Sequence, residues 1–149
     1  MELYIVRHGD ALATSPDAAR TLSSVGRVEV QTIARAMSTR GVRVRQIRHS
    51  GRVRARETAE LLGAALEPPA GVIQIDGLHP EDPIEPVANS LFGERESLML
   101  VGHLPFVGRL VGLLTTGDAH RSPISFPTAT VACLQGEDDQ WELAWVEHP

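Results

Sequence analysis

The stretch Leu98–Val101, Leu-Met-Leu-Val, constrains this chain most. Four apolar residues in a row, with no polar alternation, describe a strand buried on both faces. Such a strand needs a layer of helices on each side. The rest of the sequence supplies those layers. Glu2–Arg7 is rich in β-formers and runs into a glycine-containing turn, which predicts a first strand. Ser23 or Ser24 can cap a helix reaching about Arg40, with Val30, Ile33, Ala34 and Met37 on one face and Gly41 as its stop. Val44–Arg48 reads as a short second strand. A second helix spans about Val53–Leu66, with Ala55, Thr58, Ala59, Leu62 and Leu66 on one side, and Pro68 and Pro69 end it. Val72–Ile75 is a third strand. A proline-rich loop, Asp76–Pro86, leads into a short helix ending near Phe92.

After the buried strand, Pro105 opens a helix to about Leu114. Ala129–Leu134 and Glu142–Val146 form a closing hairpin around the polar turn Gly136–Asp139. Strands alternating with helices predict an α/β fold, a three-layer α/β/α sandwich whose sheet is mostly parallel but mixed at the hairpin. With 149 residues and no internal linker, residues 1–149 are expected to form one domain.

Composition removes several functional classes. The net charge of −5 argues against a general nucleic-acid binder. All 14 positive residues are arginine, so lysine Schiff-base chemistry and a P-loop lysine are both excluded. No apolar run approaches the roughly 20 residues that cross a bilayer, and Met1–Val6 reads as a strand rather than a signal peptide. The single cysteine, Cys133, excludes an internal disulfide and fits a reducing compartment. A cytoplasmic protein without membrane partners is the expectation, and a monomer is the default for so small and acidic a chain.

The chemistry-bearing residues fall at related places. Arg7-His8-Gly9 follows the first strand, Gly102-His103 follows the buried strand, and Arg54 stands in the first turn of the helix after the second strand. Ligands of open α/β sheets bind at the carboxyl ends of strands. Two histidines and two arginines are thereby directed to one sheet edge. Taken singly, Arg-His-Gly is a weak tripeptide, His103 could be an ordinary buried histidine, and Arg54 sits among Arg48, Arg52 and Arg56, most of which read as solvated surface charges. Together they describe an anion pocket. Arginine presents a planar fork to phosphate oxygens, helix N-termini add free N–H groups, and a neutral imidazole can attack phosphorus. Gly9 would leave room for the phosphate behind His8. A metal site fits less well, because no partner at ligand spacing accompanies either histidine and the arginines would repel a divalent cation.

Over nearly its whole length the chain resembles the histidine phosphatase superfamily, the relatives of cofactor-dependent phosphoglycerate mutase, and within it the small bacterial phosphohistidine phosphatases of the SixA type. The motifs are LYIVRHGDA at Leu3–Ala11, R-x-L-S-x-x-G at Arg20–Gly26, S-x-x-x-R-A-R-E-T-A at Ser50–Ala59, LVGHLPFVGRL at Leu100–Leu110 and F-P-T-A from Phe126. The resemblance implies a phosphoglycerate mutase-like fold without a large cap domain and without a cofactor. It implies that His8 is the phosphorylated nucleophile, that Arg7 and Arg54 bind phosphate, and that His103 is the second histidine touching it. It places Arg20 near the pocket mouth as a further substrate-binding residue, where a salt bridge to Asp10 or Asp17 is the competing use.

Two departures stand out. Ser50-Gly51 replaces the frequent Ser-Pro, which is expected to loosen the turn before Arg54. The loop after the third strand is short, which is expected to leave the site open to a bulky substrate. That loop holds the nearest candidates for a leaving-group acid, Glu81 and Asp82, and a plain polar loop explains them as well. A phosphoramidate tolerates a missing acid, since imidazole leaves more easily than an alkoxide. The implied partner is therefore a phosphohistidine-containing protein such as a phosphotransfer domain. A small-molecule phosphomonoesterase and an inactive phosphate-binding module are the alternatives.

Overall fold

The computed structural model describes all 149 residues. Six strands and four α-helices alternate: β1 Glu2–Arg7, α1 Ser24–Thr39, β2 Gln46–His49, α2 Val53–Leu66, β3 Val72–Gln74, α3 Glu85–Ser90, β4 Leu98–Gly102, α4 Phe106–Thr116, β5 Val131–Glu137 and β6 Gln140–Glu147. A three-residue 3-10 turn, Asp17–Ala19, precedes α1. The sheet order is β3-β2-β4-β1-β5-β6. The first four of these strands run parallel, and β5 joins β1 antiparallel, so the sheet is mixed as expected. No helix is long and apolar enough to cross a membrane.

The alternation of side chains along the central strands produces two cores. Leu3 and Ile5 of β1 and Leu98 and Leu100 of β4 pack with α3 and α4. Tyr4 and Val6 of β1 and Met99 and Val101 of β4 face α1 and α2. This is the three-layer arrangement that the apolar run at 98–101 demands, and all five residues of β4 are buried. The predicted face of α1 is buried at Val30, Ile33, Ala34 and Met37. Its cap is Ser23, whose hydroxyl accepts the Gly26 N–H at 3.0 Å.

Some boundaries differ from expectation. β2 begins at Gln46 rather than Val44: Val44 is buried in the core, and the chain there is tied by Arg45 alone, whose N–H donates to the Ser97 carbonyl and whose carbonyl accepts the Ala70 N–H, each at 2.8 Å. The turn before Arg54 is not loose. Gly51 has φ of +89°, a conformation that favours glycine, and its N–H donates to His49 Nδ1 at 3.1 Å.

Candidate active site

β1 and β4 are neighbours, so the residues that follow them emerge side by side. His8 N–H donates to the Gly102 carbonyl at 3.0 Å, and Ala129 N–H is shared between the Arg7 and His8 carbonyls at 3.1 Å each. Ala129 adopts φ of +60°, a left-handed conformation that costs a non-glycine residue roughly 1 kcal/mol or more. The backbone of the candidate nucleophile is thus held on one side by the end of β4 and on the other by the turn that leads into β5. The rings of His8 and His103 lie 5.1 Å apart between centroids and are tilted by 53°. They are 8% and 1% exposed.

His8 Nδ1 lies 2.6 Å from the Gly9 carbonyl. A carbonyl only accepts, so Nδ1 carries the proton and neutral His8 keeps its lone pair on Nε2. Gly9 N–H donates to Thr58 Oγ1 at 3.1 Å. The space that Gly9 leaves is taken by α1 rather than by an anion: a Cβ there would meet Val30, the Gly26 carbonyl and Leu22. This differs from the expected reason for the glycine, and its polar groups serve His8 and Thr58 instead. His103 Nε2 shares a 2.7 Å hydrogen bond with Ser50 Oγ, and its buried Nδ1 has no partner within the protein.

The arginines converge on the same place. Arg7 Nη1 donates to the Phe126 carbonyl at 2.9 Å. Arg54, 4% exposed, donates from Nη1 to the Asp17 carbonyl at 2.9 Å and from Nη2 to Asp17 Oδ2 at 3.2 Å. In both arginines the buried Nε has no protein partner. Arg20 donates to the Leu12 carbonyl at 2.7 Å and to Asp17 Oδ1 at 3.2 Å, so the expected salt bridge forms with Asp17. Arg52, which its sequence context had assigned to the surface charges, is largely buried at its side chain. It donates to Asp17 Oδ2 and, at 3.4 Å, to His79 Nδ1. Sequence reasoning named Asp17 only as a possible partner of Arg20 and Ser50 only as the start of a motif, counted Arg52 among the surface charges, and did not name His79. Only the arginine run itself offered a signal, for Arg52.

The loop carboxylates are not in this cluster. Glu81 is exposed and lies 3.6 Å from Arg109, and Asp82 accepts the His79 backbone N–H at 2.8 Å. A surface cleft of about 790 Å³ lies at the opposite, amino ends of the strands, lined by residues such as Glu2, Arg45 and Glu96. Within it Arg45 pairs with Glu96 at 2.8 Å, and it holds no histidine.

Electrostatics favour neutral imidazoles. Burial, followed by the charges of Arg54, Arg7 and Arg20, pushes His8 down to about 4, against the opposing hydrogen bond to Gly9. Burial and then the neighbouring His8 push His103 lower still. An NMR titration is therefore expected to find His8 neutral down to about pH 4, and a midpoint near 6.5 would contradict it. The sign for stability follows. The unfolded chain binds the proton first, so stability is complete above about pH 6.5 and declines as pH falls toward 4, by on the order of 3 kcal/mol for His8.

A strand-end cluster of an unprotonated imidazole nitrogen, a second imidazole and several guanidinium groups can hold a tetrahedral oxyanion. The chain belongs to the histidine phosphatase superfamily, branch 1, whose family model matches residues 3–79. It is 31% identical over 139 residues to the phosphohistidine phosphatase SixA of Escherichia coli K12, a match covering 90% of this chain and 84% of that protein. The solved structure of the protein histidine phosphatase SixA complexed with tungstate is similar, with a TM-score of 0.90, 27% identity and coverage of 99% of this chain and 97% of that one. A structure named SixA from Agrobacterium tumefaciens has a TM-score of 0.81 at 28% identity, with the same coverage of each chain.

Proposed function

We propose that this phosphatase hydrolyses phosphohistidine through a covalent phosphoenzyme on His8. The observation that carries the reading is the Nδ1–H bond to the Gly9 carbonyl, which leaves Nε2 unprotonated among buried arginines. Nε2 attacks phosphorus. The N–P bond to His8 forms as the bond from phosphorus to the substrate nitrogen breaks, and the substrate imidazole, protonated on its other ring nitrogen, leaves as the neutral ring. Water then cleaves the phosphoenzyme, releasing inorganic phosphate and restoring neutral His8. Arg7 and Arg54 offer their unpartnered Nε edges to the phosphoryl oxygens, and His103 adds a neutral donor. Arg20 and Arg52 stand at the mouth.

A phosphoramidate suits this site better than an alkyl ester, because Glu81 and Asp82 are engaged elsewhere and Asp17, the carboxylate inside the arginine cluster, is held ionised by three guanidinium groups and is a poor acid for an alkoxide. The similarity to proteins named phosphohistidine phosphatase points the same way. Between β3 and β4 the only helix is the six-residue α3. So short a connection leaves room for a folded partner, such as a phosphotransfer domain carrying phosphohistidine.

The test is chemical. The protein is incubated with a labelled phosphohistidine protein or with p-nitrophenyl phosphate and quenched rapidly. An acid-labile, base-stable adduct is expected from both, with faster turnover on the phosphohistidine protein. Higher turnover on small phosphate esters would instead indicate a metabolite phosphatase, and the absence of any adduct a binding module. Glu81→Gln and Asp82→Asn are each expected to stay within about twofold of the parent on the phosphohistidine protein, since surface substitutions away from a site have small effects. A large loss in either, on both substrates, would assign the acid role that this reading denies them.

A further inference from the structure

One half-exposed carboxylate accepts from three arginines. Asp17 Oδ1 takes Arg20 Nη1, and Oδ2 takes Arg52 Nη1 and Arg54 Nη2. The Asp17 carbonyl takes a fourth donor, Arg54 Nη1. These arginines come from the loop before α1, the N-cap of α2 and its first turn. Their mutual repulsion would otherwise spread them. Hydrogen bonds and charge from Arg20, Arg54 and Arg52 hold the Asp17 carboxyl below the usual carboxylate range, although its partial burial acts the other way.

The contacts are one-sided. Arg54 meets Asp17 with its two terminal nitrogens, and its buried Nε has no protein partner. The Nε of Arg52 is likewise buried and unpartnered. Asp17 takes terminal nitrogens of Arg52 and Arg54 and leaves their buried Nε donors free, whereas the Nε of Arg20 is used by the Leu12 carbonyl.

We infer that Asp17 is a positioning residue that gathers Arg20, Arg52 and Arg54 into a preformed fork for the phosphoryl group. This rests on the reading of the site as a phosphoryl pocket. The carboxylate does not touch the reacting atoms. Its role is to supply, before substrate arrives, the arrangement that the transition state needs.

The inference makes a prediction opposite in sign to simple electrostatics. Removing a negative charge from a cationic pocket should tighten anion binding if charge alone mattered. If Asp17 positions the arginines, Asp17→Asn should weaken inorganic phosphate and tungstate binding by roughly tenfold, and kcat/KM should fall by roughly 10- to 100-fold, mostly in kcat. Asp17→Glu, which keeps the charge but displaces it by one methylene, should fall between the two. Thermal melts of both variants establish that they are folded, and trapping of the acid-labile adduct in Asp17→Asn separates this inference from the assignment of His8. Phosphate binding in Asp17→Asn as tight as in the parent, or tighter, would overturn it and make the carboxylate a competitor for the site.

Discussion

His8→Ala is expected to lose the acid-labile adduct completely and to lower turnover by at least about 10⁴-fold, the scale on which removing a covalent nucleophile acts. The loss should be confined to chemistry. Arg7, Arg54 and His103 reach the pocket through contacts of their own: the Phe126 carbonyl, Asp17 and Ser50. Phosphate should therefore still bind His8→Ala within a few-fold of the parent, measured by calorimetry. The variant should also resist acid better, since it lacks a buried imidazole whose protonation opposes the fold. Retention of a few per cent of parental turnover, with an adduct on another residue, would remove His8 from the role given to it.

Arg54→Ala carries the second large effect. Arg54 is the most buried of the clustered arginines and the one held by two hydrogen bonds to Asp17. Loss of one preorganised donor group of this kind typically lowers kcat by about 10²- to 10³-fold, and the same range is expected here on a phosphohistidine protein. Arg54→Lys discriminates between charge and geometry. Lysine restores a point charge without the planar fork, so it should recover only a small part of the loss. Full recovery in the lysine variant would mean that a nearby positive charge is all the reaction needs from this position.

The elements of the fold were legible because they rest on local patterns. The periodicity of Val30, Ile33, Ala34 and Met37, the double proline after Leu66 and the unbroken apolar run at 98–101 each record which surfaces must be buried. Arg7, His8, Arg54 and His103 were legible because each follows a strand, and parallel strands bring their carboxyl ends together. Asp17 left no such trace. It is one acid in a polar loop, and its meaning comes from three arginines, two of them 35 and 37 residues away. Arg52 was hidden by its neighbours, since a run of arginines reads as surface until the burial of each member is known. The bond between Ser50 and His103 spans 53 positions and depends on β2 lying beside β4. Gly9 was noticed for the wrong contact, because sequence reveals that a side chain is missing but not what fills its place.

The position of β1 has a consequence for biosynthesis. It leaves the ribosome before the other five strands of the sheet, yet its partners are β4 and β5, with Leu3 registered against Leu98 and Leu134. A nascent chain can dock α1 against α2 early, while the segment bearing His8 waits for residues almost a hundred positions later. Such non-local pairing folds slowly. Enzymatic competence should therefore arise late and all at once, when the strand beginning at Val131 closes the sheet, and a chain interrupted before that point would hold Arg7, His8, Arg54 and His103 without an assembled pocket.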